Sequence, residues 1–145
     1  ECYTDITPES ENSMKAKLLA SPATCFVASD EKTLAGYLIS LPWTFAKPPA
    51  LDSQHCVLPE LADCLYLHDL AIAPHARSAG CAPALVNTFL AQLPRLGLRC
   101  ASLIAIQNSA SYWQRYGFEK VAITDELQQK ISSYGDQVFY MAKYI

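Results

Sequence analysis

Four consecutive segments in the middle of the chain restrict its fold more than any other feature. Cys64 to Ala73 (C-L-Y-L-H-D-L-A-I-A) is nearly continuous apolar sequence broken only by His68 and Asp69, the pattern of a strand buried on both faces. A small-residue loop follows, and then Leu85, Val86, Phe89, Leu90 and Leu93 recur at helical spacing until Pro94 and Gly97 end the helix. Leu98 to Ile106 reads as a second buried strand. Strand, loop, helix and strand in that order form a right-handed crossover, which pairs the two strands in parallel.

The flanking segments complete an α/β (α+β) chain. Thr7 with Pro8, Glu9 and Glu11 reads as a helix start, and the helix is expected from Pro8 to Ala20. Two β-rich runs, Thr24 to Ser29 and Thr33 to Leu41, are joined by Asp30-Glu31-Lys32 as an antiparallel hairpin. Pro42 to Glu60 holds Pro42, Pro48, Pro49 and Pro59 with little periodicity, and reads as a long loop beside the site. After the crossover come a short helix from Ser109 to Tyr116 closed by Gly117, a strand near Glu119 to Ile123, a polar stretch, and a last strand from Gln137 to Tyr144. No internal repeat or second domain is visible, so residues 1–145 read as one domain.

Composition removes several functions. With 51% hydrophobic residues the chain can bury a true core, and a formal charge of −3 without a Lys/Arg stripe argues against nucleic acid as a partner. The longest apolar runs, such as Cys25 to Ala28 and Leu70 to Ala73, fall far short of the ~18 residues of a membrane helix. No signal segment follows Glu1. The six cysteines form no C-x-x-C pair and mostly sit in apolar stretches, so they read as reduced thiols of a cytoplasmic protein. His55, His68 and His75 lack zinc-site spacing, and no metal is implied.

The loop between the central strand and the helix is R-S-A-G-C-A, Arg77 to Ala82, with Pro83 just inside the helix. Small side chains there let a ligand approach the backbone, and the first N–H groups of a helix point outward at the positive end of its dipole. The loop has neither the G-x-x-x-x-G-K-[ST] nor the G-x-G-x-x-G pattern, so spacing alone leaves a phosphate cradle and a plain tight turn open.

Two motifs, in order, carry a resemblance. Leu70 to Ala82, read as L-x-I-x-P-x-x-R-x-x-G-x-A, resembles the signature of the GNAT superfamily of acyl-coenzyme A N-acyltransferases, and Tyr112-Trp113-Gln114-Arg115-Tyr116-Gly117-Phe118 is similar to its F-Y-x-x-x-G-F segment. The resemblance extends over the whole chain. It implies a mixed central sheet with a splayed parallel strand pair flanked by helices, and a first strand that is expected to precede this sequence. It also implies an N-acetyltransferase using acetyl-CoA, with a small-molecule or protein amine as acceptor and no metal. Dimers are common in such a family, and exposed strand edges allow a homodimer.

Site residues follow from the resemblance. The pantetheine arm of the coenzyme is assigned to backbone groups of Leu70, Ala71 and Ile72, and the pyrophosphate to those of Arg77, Ser78, Ala79, Gly80, Cys81 and Ala82. Asn108 stands where some members hold the pantetheine with an asparagine, though two residues short of the usual spacing. An amine must lose a proton before attacking a thioester, and His68, which matches a histidine of arylalkylamine N-acetyltransferases, is the candidate base. The alternative for His68 is a buried histidine bonded to backbone. Strand alternation sets His68 and Asp69 on opposite faces, which leaves Asp69 structural. A backbone N–H of Ile72 or its neighbour is the expected oxyanion donor. Trp113 occupies the position of the family's usual tyrosine acid and is assigned to the coenzyme-binding residues, and because an indole is not a usable acid, Tyr112 is the substitute acid. Tyr37, Pro42 and Trp43 are expected to wall the acceptor pocket, with aromatic faces suited to a cation or aryl group. A coenzyme A-binding sensor without turnover is the alternative function.

Overall fold

The computed structural model describes residues 11–30, 33–49, 56–77, 80–106, 108–122, 124–134 and 138–145. The expected start of the first helix at Thr7-Pro8, the hairpin turn at Glu31-Lys32, and Ser78 and Ala79 of the loop lie outside them. Elements run α1 (Glu11–Ala20), β1 (Cys25–Asp30), β2 (Thr33–Trp43), β3 (Cys64–Ile72), α2 (Cys81–Leu96), β4 (Cys100–Ala105), α3 (Ala110–Gln114), β5 (Glu119–Lys120), α4 (Asp125–Ile131) and β6 (Phe139–Tyr144). No described helix is long and apolar enough to cross a membrane.

The strands form one mixed sheet in the order β1-β2-β3-β4-β6-β5. β1 and β2 are the antiparallel hairpin, β2 and β3 are antiparallel, and β3 and β4 are the parallel pair that the crossover requires. Helix α2 covers one face. Its Leu85, Val86, Phe89 and Leu93 pack on Leu38, Leu65, Leu67, Ala101, Leu103 and Met141. The apolar stripe of α2 has the spacing that lets one helical face meet alternate strand residues, and burying such side chains contributes about 1.5–3 kcal/mol each. On the opposite face, Leu127 and Ile131 of α4 pack with Tyr66, Tyr134, Val138 and Tyr140.

Three expectations need correction. The long loop does not begin at Pro42, because β2 continues through Trp43, with Pro42 opposite Leu65 and Trp43 opposite Cys64. β1 pairs only as far as Ile39, so Pro42 lies where one side of β2 has no described strand to bond, a place that tolerates proline. The polar stretch before the last strand contains α4, whose start is fixed by Thr124 accepting from the Leu127 N–H at 3.2 Å with Asp125 and Glu126 in the first turn. The strand expected over Glu119 to Ile123 is only the two residues Glu119 and Lys120.

The register between β2 and β3 carries the correction that matters for the site. Ile39 stands opposite Asp69 while its neighbour Ser40 stands opposite Leu67, so His68 is the extra residue of a β-bulge. A bulge breaks the alternation of side chains. Leu65 and Leu67 before it, and Leu70 and Ile72 after it, all pack on the α2 side. His68 instead lies by Tyr66 and Tyr134 on the α4 side, with ring centroids 6.0 and 6.5 Å away. Asp69, one residue before Leu70, belongs to that same α4 side rather than to the opposite face.

Candidate active site

The parallel pairing of β3 and β4 covers only Leu65 with Ala101, Tyr66 with Ser102 and Leu67 with Leu103. β3 continues to Ile72 and β4 to Ala105, so among the described residues the two strands part beyond Leu67. Ligands of open α/β sheets bind outside the carboxyl ends of parallel strands, which is where this gap opens.

Hydrogen-bond direction shows what β3 presents there. The Ala73 N–H bonds the Ala35 carbonyl at 2.8 Å, toward β2. Alternation along an antiparallel ladder then turns the groups of Ala71 and Asp69 toward β2 as well, and those of Leu70 and Ile72 toward the gap. Of the three backbone contacts expected for the pantetheine, Leu70 and Ile72 face the open edge and Ala71 does not. An extended amide-bearing arm adds to such an edge as a further strand does.

The loop after β3 folds as a short 3-10 turn over Pro74–Ala76, followed by Arg77, which is exposed. Gly80 takes φ +78 at the N-cap of α2, a left-handed conformation that favours glycine, and an added Cβ there meets no atom of the described residues within 4 Å. The carbonyl of Gly80 accepts from the Ala84 N–H at 3.3 Å, so the N–H groups of Gly80, Cys81 and Ala82 precede the first helical bond. Pro83, the third helical residue, has no N–H to offer. This open, glycine-led helix start fits a pyrophosphate.

Around the bulge, Tyr37 donates its hydroxyl to Asp69 Oδ2 at 2.9 Å. Asp69 is 6% exposed and His68 is half-buried. Tyr134 donates to the Pro49 carbonyl at 2.6 Å, and the Tyr66 and Tyr134 hydroxyls stand 3.4 Å apart, so the His68 ring is bordered by phenols that are themselves held.

The other expected residues divide. Tyr112 and Tyr116 hydroxyls lie 3.1 Å apart. Burial first, and then the Tyr116 hydrogen bond, push the Tyr112 phenol well above its usual range, so it keeps its proton. Trp113 is in the core, edge-on to Phe118 with ring centroids 5.9 Å apart. Asn108 is exposed in the turn after β4 with φ +63, a conformation asparagine tolerates, and it lies at the carboxyl end of β4 where the gap opens. Trp43 is not brought to Tyr37: it sits opposite Cys64 at the far end of β3, its indole donating to the Lys47 carbonyl at 2.7 Å. Trp43 is six positions along β2 from Tyr37, a distance of roughly 20 Å. Sequence reasoning set Asp69 aside and passed over Tyr134. For Asp69 no signal in the sequence marks the bulge, whereas for Tyr134 the Thr124-Asp125-Glu126 helix start was available.

Among curated proteins, none matches the chain by sequence. Solved structures share its fold. The NatC complex bound to Gag peptide and CoA superposes with TM-score 0.70 at 17% identity, covering 99% of this chain and 84% of that one. Arabidopsis thaliana Naa50 in complex with the bisubstrate analogue CoA-Ac-MVNAL gives 0.65 at 14% identity, covering 96% and 83%. The ribosomal-protein-S18-alanine N-acetyltransferase of Escherichia coli gives 0.57 at 17% identity, covering 83% and 68%. At the sequence level, the profile described as "Acetyltransferase (GNAT) family" matches residues 1–118. That match takes in the open edge of β3, the loop at the start of α2 and the segment from Tyr112 to Phe118, and with it the chain belongs to the GNAT acetyltransferase family.

Proposed function

We propose that this acetyltransferase moves an acetyl group from acetyl-CoA directly to a primary amine of a small molecule or protein. The observation that carries the reading is the parting of β3 from β4 beyond Leu67, which leaves Leu70 and Ile72 facing a gap beside His68. The N-acetyltransferases of similar fold, with CoA or a CoA-linked peptide bound, support the same reading. Acetyl-CoA, when bound along that edge, supplies the activated acetyl group.

The chain's own residues supply the rest. Leu70 and Ile72 hold the extended arm by backbone bonds, and the N–H groups of Gly80, Cys81 and Ala82, with the Arg77 segment, face the pyrophosphate. His68 takes the proton that the amine sheds as it attacks. A backbone N–H of Leu70 or Ile72, already aimed at the gap, faces the charge that develops on the carbonyl oxygen. Tyr112 donates a hydrogen bond to the leaving sulfur. A cytoplasmic setting fits the reduced thiols of Cys25, Cys64, Cys81 and Cys100.

Calorimetric titration with acetyl-CoA, followed by thiol release against a panel of amines, tests the proposal. Micromolar binding with release is expected. Binding without release from any amine would instead mark a coenzyme A-binding module, and absence of binding would remove the assignment of the β3 edge.

A further inference from the structure

We infer that Tyr134 is a positioning residue for His68: clamped by the Pro49 carbonyl, it sets the direction of the imidazole beside the gap between β3 and β4. The inference rests on the acetyl transfer proposed above, with His68 as its base, and adds a residue to that machinery.

A histidine on a strand does not fix the direction of its own ring. The torsion that turns an imidazole is broad, so the nitrogen it presents to a substrate is chosen by what packs against the ring. At His68 two phenols do this. Tyr66, two residues earlier on β3, lies tilted with ring centroids 6.0 Å apart, and Tyr134 lies at 6.5 Å with 73° between the ring planes. Tyr66 shares the strand with His68, whereas Tyr134 arrives from the 3-10 turn Ser132–Tyr134 after α4 and brings the constraint of a second element.

Tyr134 is itself fixed at both ends. Thr124 caps α4, and Leu127 and Ile131 pack that helix with Tyr66 and Tyr140, which places the backbone of the turn that follows. At its other end the Tyr134 hydroxyl gives its one proton to the Pro49 carbonyl at 2.6 Å and accepts from Tyr66 at 3.4 Å. At 4% exposure, water hardly competes for that proton. Pro49 lies 85 residues away in the loop after β2, and a bond to a loose loop would fix nothing. This loop is held. The Phe45 N–H bonds Asp63 Oδ1 at 2.7 Å, the Ala46 N–H bonds the Tyr140 hydroxyl at 2.8 Å, and the Lys47 carbonyl accepts from the Trp43 indole at 2.7 Å. Pro48 and Pro49 then restrict the backbone that carries the carbonyl. With its proton committed to Pro49, Tyr134 serves His68 through its ring. The base takes a proton only where its nitrogen meets the attacking amine, and a misplacement of about 1 Å costs about a hundredfold in rate.

A double-mutant cycle with His68→Ala tests this, read as thiol release from acetyl-CoA with tyramine, spermidine or a peptide amine, whichever the wild type uses fastest. Tyr134→Phe keeps the ring and loses the Pro49 bond. It is expected to lower kcat by about tenfold to a hundredfold in the wild-type background but by less than about twofold in His68→Ala, with acetyl-CoA affinity near wild type throughout. Tyr140→Phe is the control, because it removes a hydrogen bond to the same loop at Ala46: its urea midpoint should fall comparably while kcat stays near wild type. Tyr66→Phe removes the longer bond to Tyr134, should repeat the non-additivity with a smaller loss, and serves if Tyr134→Phe does not unfold cooperatively. An unchanged kcat in Tyr134→Phe, or the same loss in His68→Ala as in the wild type, overturns the role of Tyr134 while leaving acetyl transfer standing. A His68→Ala enzyme as fast as the wild type removes the base and this role with it. Binding of acetyl-CoA with transfer to no amine overturns both the role and the transfer.

Discussion

The Tyr37 hydroxyl and Asp69 Oδ2, 2.9 Å apart, join β2 to β3 on the side of the sheet where the His68 ring lies between Tyr66 and Tyr134. This diagonal bond exists because the bulge at His68 shifts everything after it by one residue. Without the bulge, Asp69 would point into the α2 core among Leu65 and Leu67, where a carboxylate would have no water and no donor.

His68→Ala should lower kcat/KM by roughly 10²–10⁴, the range of a positioned general base. The limb of the pH–rate profile that reports the base should vanish with it, while acetyl-CoA affinity stays near wild type. Steady-state kinetics across pH check this, and an unchanged profile would remove His68 from the mechanism.

Gly36 stands opposite Ile72 in the pairing of β2 with β3. A Cβ on Gly36 would lie 2.8 Å from the Ala71 carbonyl oxygen and 2.6 Å from Ile72 Cδ1. Because one of those atoms is backbone, Gly36→Ala must push β3 aside, at a cost of about 1–3 kcal/mol. Urea unfolding should show a lower midpoint, and calorimetry a weaker acetyl-CoA complex, since the displaced segment carries the Ile72 donor.

Gly80 presents the contrasting case, with no described atom within 4 Å of its missing Cβ but φ +78. Gly80→Ala is therefore strained only through its backbone, by roughly 1–2 kcal/mol. Acetyl-CoA affinity should fall severalfold with little change in kcat, as measured by calorimetry and saturation kinetics. A variant that binds as tightly as wild type would mean that the start of α2 does not touch the coenzyme.

Burial pushes the Cys64 thiol from its usual 9.0 up to about 12, with the Ser102 hydroxyl acting in the opposite sense from 3.4 Å. In the unfolded chain the thiol ionises near pH 9, while in the fold it keeps its proton. Its contribution to stability is thus complete below pH 9 and is lost as pH rises toward 12. Melting temperature should decline across that window, and Cys64→Ala should flatten part of the decline. Cys25, Cys100, Tyr112, Tyr140 and Tyr144 are shifted in the same direction and add to the slope that remains. Identical slopes in wild type and variant would show that Cys64 is reached by water.

Much of this architecture is written in local pattern. The apolar run from Cys64, the helical spacing from Leu85 to Leu93 and the run beginning near Cys100 each bury one element against another, and a right-handed crossover permits one parallel arrangement of them. The resemblance of Leu70 to Ala82 and of Tyr112 to Phe118 to two motifs in a set order then points to the family. What tertiary structure alone decided is the direction of individual groups. Whether His68 and Asp69 share a face depends on one extra residue in β3, which the apolar pattern of the strand does not mark. Tyr37, Pro42 and Trp43 read as walls of one pocket because they lie near the end of the hairpin and the start of the loop, yet eleven-residue β2 holds Tyr37 and Trp43 far apart. Periodicity reports which residues are apolar and how often, but a register shift moves side chains between faces without changing either, and only the paired strands reveal it.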